Sequence, residues 1–153
     1  CKGRKPNLIR SLYLVEGELE VLNKRIQQKY KRILANEIRY EEKSTSDCDL
    51  LLVAYGTSAR ICTAVVAKAR ERGIKAGLLR PISLWPFPVD ALGSLASDAK
   101  AVLVVEMSAG QMLEDVRLAV NGQRPVYFTG RMGGGVPTVA AIMKKINEIK
   151  EIK

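Results

Sequence analysis

The sequence predicts an α/β protein: an open, doubly wound, mainly parallel sheet preceded by a long amphipathic helix. Two observations carry the sheet. Beyond residue 47, short apolar runs alternate with helical patterns. Each run is apolar throughout, as strands covered on both faces must be. A third observation carries the helix. Leu12, Val15, Leu19, Leu22, Ile26 and Ile33 recur at three- and four-residue spacing, with Lys29 breaking the series. That stripe covers one side of a helix of about 20 residues.

Ser44, Thr45, Ser46 and Asp47 form a short polar linker. Residues 1–47 therefore read as an N-terminal arm, and residues 48–153 as the α/β domain. Within the arm, Gly17 costs about 1 kcal/mol against Ala in a helix interior, so it marks an alternative start for the helix. The stripe packs either on its own domain or on a neighbouring domain or subunit; the pattern alone leaves both open.

After the linker, residues 50–55 form the first strand, ending at Gly56. Ser58 is placed to cap a helix through Arg72, which Gly73 closes from the C′ position. Residues 74–79 make the second strand, stopped by Arg80-Pro81. A short helix over 89–96 opens with Pro88 and Asp90. The third strand, 101–105, leads through 106–110 into a helix over 111–120. A shorter strand spans 125–128. Thr138 caps a last helix through Ile149, with Ile142, Ile146 and Ile149 on one face. Right-handed crossovers predict the order 2-1-3-4 for the four strands. The C-terminal edge of the sheet would then collect residues 56–58, 80–82, 106–110 and 129–133.

At 153 residues, with 47% hydrophobic and 27% charged side chains, the chain suits one soluble domain plus an arm. A chain of this length buries roughly 68–70% of its unfolded surface without disulfides or metal. No apolar run approaches the roughly 20 residues that span a bilayer, and no signal peptide opens the chain. The chain starts at Cys1 without an initiator methionine, as a piece of a longer protein would. It contains no histidine, which excludes Ser-His-Asp and Cys-His catalysis and His-ligated zinc. Three scattered cysteines, Cys1, Cys48 and Cys62, form no CxxC, so a reducing, cytoplasmic compartment is expected.

The net charge of +9 is spread out: residues 1–47 carry 11 basic and 7 acidic side chains, and residues 48–153 carry 14 and 9. Only Lys2, Arg4, Lys5 and Arg10 cluster. Aromatics, at 5%, are too sparse for base-stacking platforms. The charge therefore suits a solvated surface or an acidic partner subunit better than nucleic acid.

Four segments could carry chemistry. Gly56-Thr57-Ser58-Ala59-Arg60 sits where a strand meets a helix N-terminus, a place for an anion or simply for a tight turn. It matches neither GxGxxG nor a Walker loop. In Arg131-Met132-Gly133-Gly134-Gly135 the glycines serve a turn; if the loop binds a ligand, Arg131 would meet a phosphate or carboxylate through its fork. The stretch 79–88 holds three prolines, Trp85 and Phe87, and reads as an interface plug or a lid. Arg80 there must find a carboxylate. Glu106, at the end of the third strand, is expected to pair with Arg80 or Arg60, since no second acid clusters with it for general-base work.

The segments Val53-Ala54-Tyr55-Gly56-Thr57-Ser58-Ala59-Arg60, Gly77-Leu78-Leu79-Arg80-Pro81-Ile82-Ser83-Leu84-Trp85-Pro86-Phe87-Pro88 and Val104-Val105-Glu106-Met107-Ser108-Ala109-Gly110-Gln111-Met112 resemble the C-terminal part of the alpha subunit of 2-oxoacid:ferredoxin oxidoreductases. So does Glu114-Asp115-Val116-Arg117-Leu118-Ala119-Val120-Asn121-Gly122. The resemblance covers about residues 12–148. Arg131-Met132-Gly133-Gly134 is most similar to the branched-chain, 3-methyl-2-oxobutanoate enzymes, with the pyruvate and 2-oxoglutarate enzymes as alternatives.

The resemblance implies a transketolase C-terminal-like domain. It implies a complex in which thiamine diphosphate decarboxylates a 2-oxo acid, iron–sulfur clusters pass electrons to ferredoxin, and coenzyme A takes the acyl group. Thiamine diphosphate and magnesium would lie between a pyrimidine-binding domain ahead of Cys1 and a beta subunit, and the clusters on gamma or delta subunits. This chain would then carry no catalytic residue and no cofactor of its own, and would be inactive alone. It would support assembly and the active-site wall, without binding nucleic acid or membrane. Thr57, Ser58, Arg60, Arg80, Trp85, Glu106, Gln111 and Arg131 are the candidates for contact with neighbouring domains or coenzyme A. The competing reading is a stand-alone anion- or nucleotide-binding module built on the turn at 56–60; a basic nucleic-acid adaptor is a third.

Overall fold

The computed structural model describes residues 3–150 and 152. Cys1 and Lys2, noted above, lie outside the described residues. The chain divides into two compact units, one ending at Glu37 and the other beginning at Ile38.

In the first unit the stripe forms helix α1 (Glu18–Asn36). The helix begins only after Gly17, whose backbone is left-handed (φ 84°). Leu12 and Val15 therefore precede it, and the helical part of the stripe starts at Leu19. Glu18 and Glu20 occupy the first turn, where a negative charge complements the helix dipole. Lys24 pairs with Glu20 at 2.5 Å.

The second unit runs β1 (Tyr40–Lys43), β2 (Leu50–Ala54), α2 (Gly56–Glu71), β3 (Ala76–Pro81), α3 (Val89–Asp98), β4 (Ala101–Glu106), α4 (Gln111–Val120), β5 (Val126–Gly130) and α5 (Val139–Glu148). The sheet order is β1-β3-β2-β4-β5. For the four strands expected from sequence this is the order 2-1-3-4, all parallel. The fifth, β1, joins antiparallel at the edge, with Glu41 opposite Arg80. It lies within the residues grouped above with the arm, and it was not foreseen because all four of its residues are exposed. An edge strand with no buried face has no apolar pattern to read.

Alternate residues of each central strand serve opposite layers. Leu50, Leu52 and Leu103 pack against Cys62, Val65 and Val66 of α2 and Ile142 and Ile146 of α5. Leu51, Val53, Val102 and Val104 pack against Leu92 of α3 and Val116 and Val120 of α4. The sheet is therefore covered on both faces, as its continuous apolar strands require. Burial also pushes the Cys48 thiol up to about 11 and the Cys62 thiol up to about 12.

The local signals hold with two exceptions, Ser58 and the Arg80-Pro81 pair, expected above to stop the second strand but lying inside β3, where β1 pairs alongside it. Thr138 Oγ1 accepts from the Ala141 amide at 3.2 Å and caps α5. Gly73, at φ 79°, closes α2: its amide donates to Arg70 O and the Ile74 amide to Ala69 O, the paired bonds of a Schellman ending. Ser58, however, is not the cap of α2. Gly56 turns the chain within one residue, so the helix starts there with extended Tyr55 at its N-cap. Ser58 falls inside the first turn and is buried.

The polar linker is held in place. Arg70 donates to Asp47 Oδ1 at 2.6 Å, to Ser44 O at 2.8 Å and to Ala76 O at 2.7 Å. The Arg70 hydrogen bond holds the Asp47 carboxyl below its ordinary 3.8. The tether is thus complete above that ordinary value and is lost as pH falls through the lower folded-state value. An NMR titration will place the Asp47 midpoint below 3.8 in the native chain, and Arg70→Met will raise it. In the core, Leu103 is fully buried between Leu52 and Tyr127. Leu103→Ala is expected to cost roughly 2–5 kcal/mol, seen in thermal unfolding as a fall of about 4–20 °C.

Candidate functional site

The parallel strands all end on the same side, so the loops after β2, β3, β4 and β5 gather at one edge. Glu106, the last residue of β4, is the organising group there. It is 0% exposed although it is a carboxylate. Its Oε2 accepts from Ser108 Oγ at 2.7 Å and the Met112 amide at 3.0 Å. Its Oε1 accepts from the Leu113 amide at 2.9 Å.

The N-cap of α4 is Gly110, which has no side chain to offer the free amides of the first turn. Glu106 reaches forward and supplies the missing acceptor, with its charge against the positive helix end. The expected pairing of Glu106 with Arg80 or Arg60 is therefore corrected. A carboxylate already receiving two amides and a hydroxyl has three of its roughly four acceptor sites filled. It serves here as a structural cap.

Arg80 finds its carboxylate elsewhere. Its Nη1 lies 2.8 Å from Glu41 Oε2, the residue opposite it in the β1–β3 ladder. Arg80 and Arg60 do come together, lining a groove of about 520 Å³ with Glu41, Gly56, Ala59 and Thr63. Thr57, Ser58, Trp85, Glu106, Gln111 and Arg131 are not among the groove's lining residues. Thr57 and Gln111 are exposed at the starts of α2 and α4.

The loop after β3 hangs on Ser83. Its Oγ accepts from the Arg39 amide at 2.9 Å and donates to Pro86 O at 2.8 Å. The Ile82 and Ser83 amides both donate to Arg39 O. The two aromatics of this loop part company: Phe87 packs against the core shared by α3 and α4, while Trp85 is 58% exposed. Arg131 is held within its own loop. Its Nη1 donates to Val136 O at 3.0 Å across its own loop. A Cβ on Gly135 would lie 2.9 Å from Arg131 Nε, so the glycine makes room for the guanidinium, and the turn reading of this run holds.

Sequence reasoning missed Glu41 and Ser83. Glu41 sits in an unpatterned edge strand, and a lone serine in a proline-rich loop gives no signal of the long-range amide it receives. The donor chemistry does not suit a metal or cluster. Among the described residues, no three His, Cys, Asp or Glu side chains gather in ligand geometry. Cys48 and Cys62 lie in opposite layers with raised thiol pKa values, the reverse of what thiolate ligands need. These residues therefore do not supply the ligand set of an iron–sulfur cluster. No helix among the described residues is long and apolar enough to cross a membrane.

Replacing Glu106 tests the cap. In Glu106→Gln the amide nitrogen turns a donor toward donors, and stability is expected to fall by roughly 2–3 kcal/mol. Amide exchange at residues 107–113 should accelerate more than in the rest of the sheet. An unchanged melting temperature would show that the carboxylate is dispensable.

Comparison with known proteins agrees with this architecture. The family described as pyruvate:ferredoxin oxidoreductase core domain II matches residues 48–142. The ketoisovalerate oxidoreductase subunit VorB of Methanothermobacter thermautotrophicus is 46% identical over 97% of this chain and 43% of that protein. The 2-oxoglutarate synthase subunit KorA of Methanothermobacter marburgensis is 32% identical over 69% of this chain and 28% of its own length. The chain thus spans less than half the length of these relatives. Among solved structures, the 2-oxoglutarate:ferredoxin oxidoreductase from Magnetococcus marinus superposes with a TM-score of 0.77 at 20% identity, over 92% of this chain and 24% of that one. A split-gene transketolase superposes with a TM-score of 0.63 over 75% of this chain and 42% of that one. The latter two likenesses speak to the fold alone, whereas the family match extends through β2 to the first turns of α5. On that match, the chain belongs to the family of pyruvate:ferredoxin oxidoreductase core domain II.

Proposed function

We propose that this chain is the C-terminal domain of the alpha subunit of a 2-oxoacid:ferredoxin oxidoreductase. The reaction of the whole complex is oxidative decarboxylation of 3-methyl-2-oxobutanoate to its acyl-CoA, with reduction of ferredoxin. The observation that carries this reading is the 46% identity to a ketoisovalerate oxidoreductase subunit along 97% of the chain. The 2-oxoglutarate subunit reaches 32% over 69% of the chain, and the pyruvate synthase subunit PorA of Pyrococcus horikoshii 34% over 79%. The same identity argues against a stand-alone anion-binding module.

In this reading, thiamine diphosphate, magnesium and the iron–sulfur clusters are held by other parts of the complex: a pyrimidine-binding domain, a beta subunit, and gamma or delta subunits. Coenzyme A and ferredoxin act at the level of the whole complex. This domain contributes a rigid wall. Arg60 and Arg80 in their groove, with Trp85, Gln111 and Arg131 on the edge loops, are the residues proposed to meet a neighbouring subunit or coenzyme A. Glu106 acts through the α4 cap, by fixing the loop that presents Gln111. The reduced thiols Cys48 and Cys62 suit the cytoplasm.

The test is a dye-reduction assay on the complex purified by a tag on this chain, with coenzyme A and each of three 2-oxo acids. The expected kcat/KM for 3-methyl-2-oxobutanoate exceeds those for pyruvate and 2-oxoglutarate by about tenfold, a difference of about 1.4 kcal/mol in transition-state binding. Preference for either competitor overturns the substrate. Absence of coenzyme A-dependent reduction with all three overturns the function.

A further inference from the structure

The first unit has apolar side chains without a core to put them in. No residue of α1 is buried. In the segment before it, Leu8 is 83% and Ile9 92% exposed, and Leu12, Leu14 and Val15 are exposed as well. Contiguous exposed apolar side chains mark a surface that another molecule covers, and the relatives this chain matches are subunits more than twice its length. In α1, the 100° step places Leu19, Leu22, Ile26, Tyr30 and Ile33 on one face. In proteins a helix of this kind draws most of its stability from packing its apolar face.

Charge narrows the choice of what covers the unit. Arg25, Lys29 and Arg32 flank Ile26 along one border of the apolar face. Residues 3–37 carry eight basic and four acidic side chains, and residues 38–153 carry 16 and 12. Both units are net basic, so an acidic surface on another polypeptide complements this border better than the chain's own α/β domain or a second copy does.

We propose that residues 6–36 dock in an apolar protein cleft rimmed by carboxylates, which belongs to polypeptide other than these 153 residues. This rests on reading the chain as part of an oxidoreductase complex, and it names the chemistry of the surface that receives it. The cleft's carboxylates meet Arg25, Lys29 and Arg32 while its floor covers the leucine and isoleucine face.

The experiment uses the purified complex and a carbodiimide, which joins a lysine amine directly to a carboxylate. Peptide mass spectrometry is expected to find Lys29 joined to an Asp or Glu outside residues 1–153. The yield should fall about fivefold between roughly 50 and 500 mM salt. Amide exchange in α1 should be about tenfold slower in the complex than in the chain alone. Lys29 cross-links confined to residues 1–153, from the same chain or a second copy, overturn the proposal. So does slowed exchange of α1 on vesicles of about 30% phosphatidylserine but not in the complex. Arg25→Glu/Lys29→Glu/Arg32→Glu is expected to lower retention of the other subunits about tenfold, with the Gln27→Glu/Gln28→Glu control unchanged; equal retention by both variants also overturns it. Oxidation of 3-methyl-2-oxobutanoate in the same preparation separates the two readings. Activity with cross-links only inside residues 1–153 removes the docking inference alone, and external cross-links without activity remove the function alone.

Discussion

Strands β2 and β4 bury every one of their residues, and β3 leaves only Arg80 at the surface. A parallel strand of this kind must be covered on both faces, and that requirement shapes everything else in the α/β unit. It sends α2 and α5 to one layer and α3 and α4 to the other. It also pushes all irregular backbone to the ends of the sheet, because a loop cannot bury unpaired amides in the layers. The C-terminal edge becomes the place where four loops meet, and polar side chains there must find partners or water.

Glu106 shows how that edge is kept rigid. Burying an ion is costly unless it is paired and hydrogen-bonded, and here the compensation comes from two helix amides and a hydroxyl. The arrangement fixes the start of α4 against the end of β4 without needing an arginine. Arg80 and Arg131 settle on partners of their own, the first across the edge ladder and the second within its loop. The edge is therefore a set of separately braced loops, which suits a wall against which other parts of a complex are built.

The two units contrast in how they treat apolar residues. The α/β unit encloses its leucines, valines and isoleucines in two layers. The first unit, with a helix of 19 residues, encloses none in that helix. Its basic border and its apolar face fit the docking proposed above, since the cost of exposing such a face scales with its area.

What the sequence determined by itself is the part of the structure set by local chemistry. The apolar runs located β2, β3, β4 and β5. Gly73 and Thr138 marked helix ends, and Gly17 marked where α1 starts. These signals act within a few residues, so spacing alone reveals them. Ser58 misled because one glycine, Gly56, completed the turn earlier than a serine cap requires. Tertiary structure alone decided the rest. Strand β1 exists because β3 offers an open ladder, and its exposed residues carry no pattern of their own. Glu106 meets α4 and Arg80 meets Glu41 because the fold brings them together, Arg80 and Glu41 lying 39 residues apart in sequence. Pairings at that separation are chosen by which strands become neighbours, and that choice is made by burying the sheet, not by the residues that end up touching.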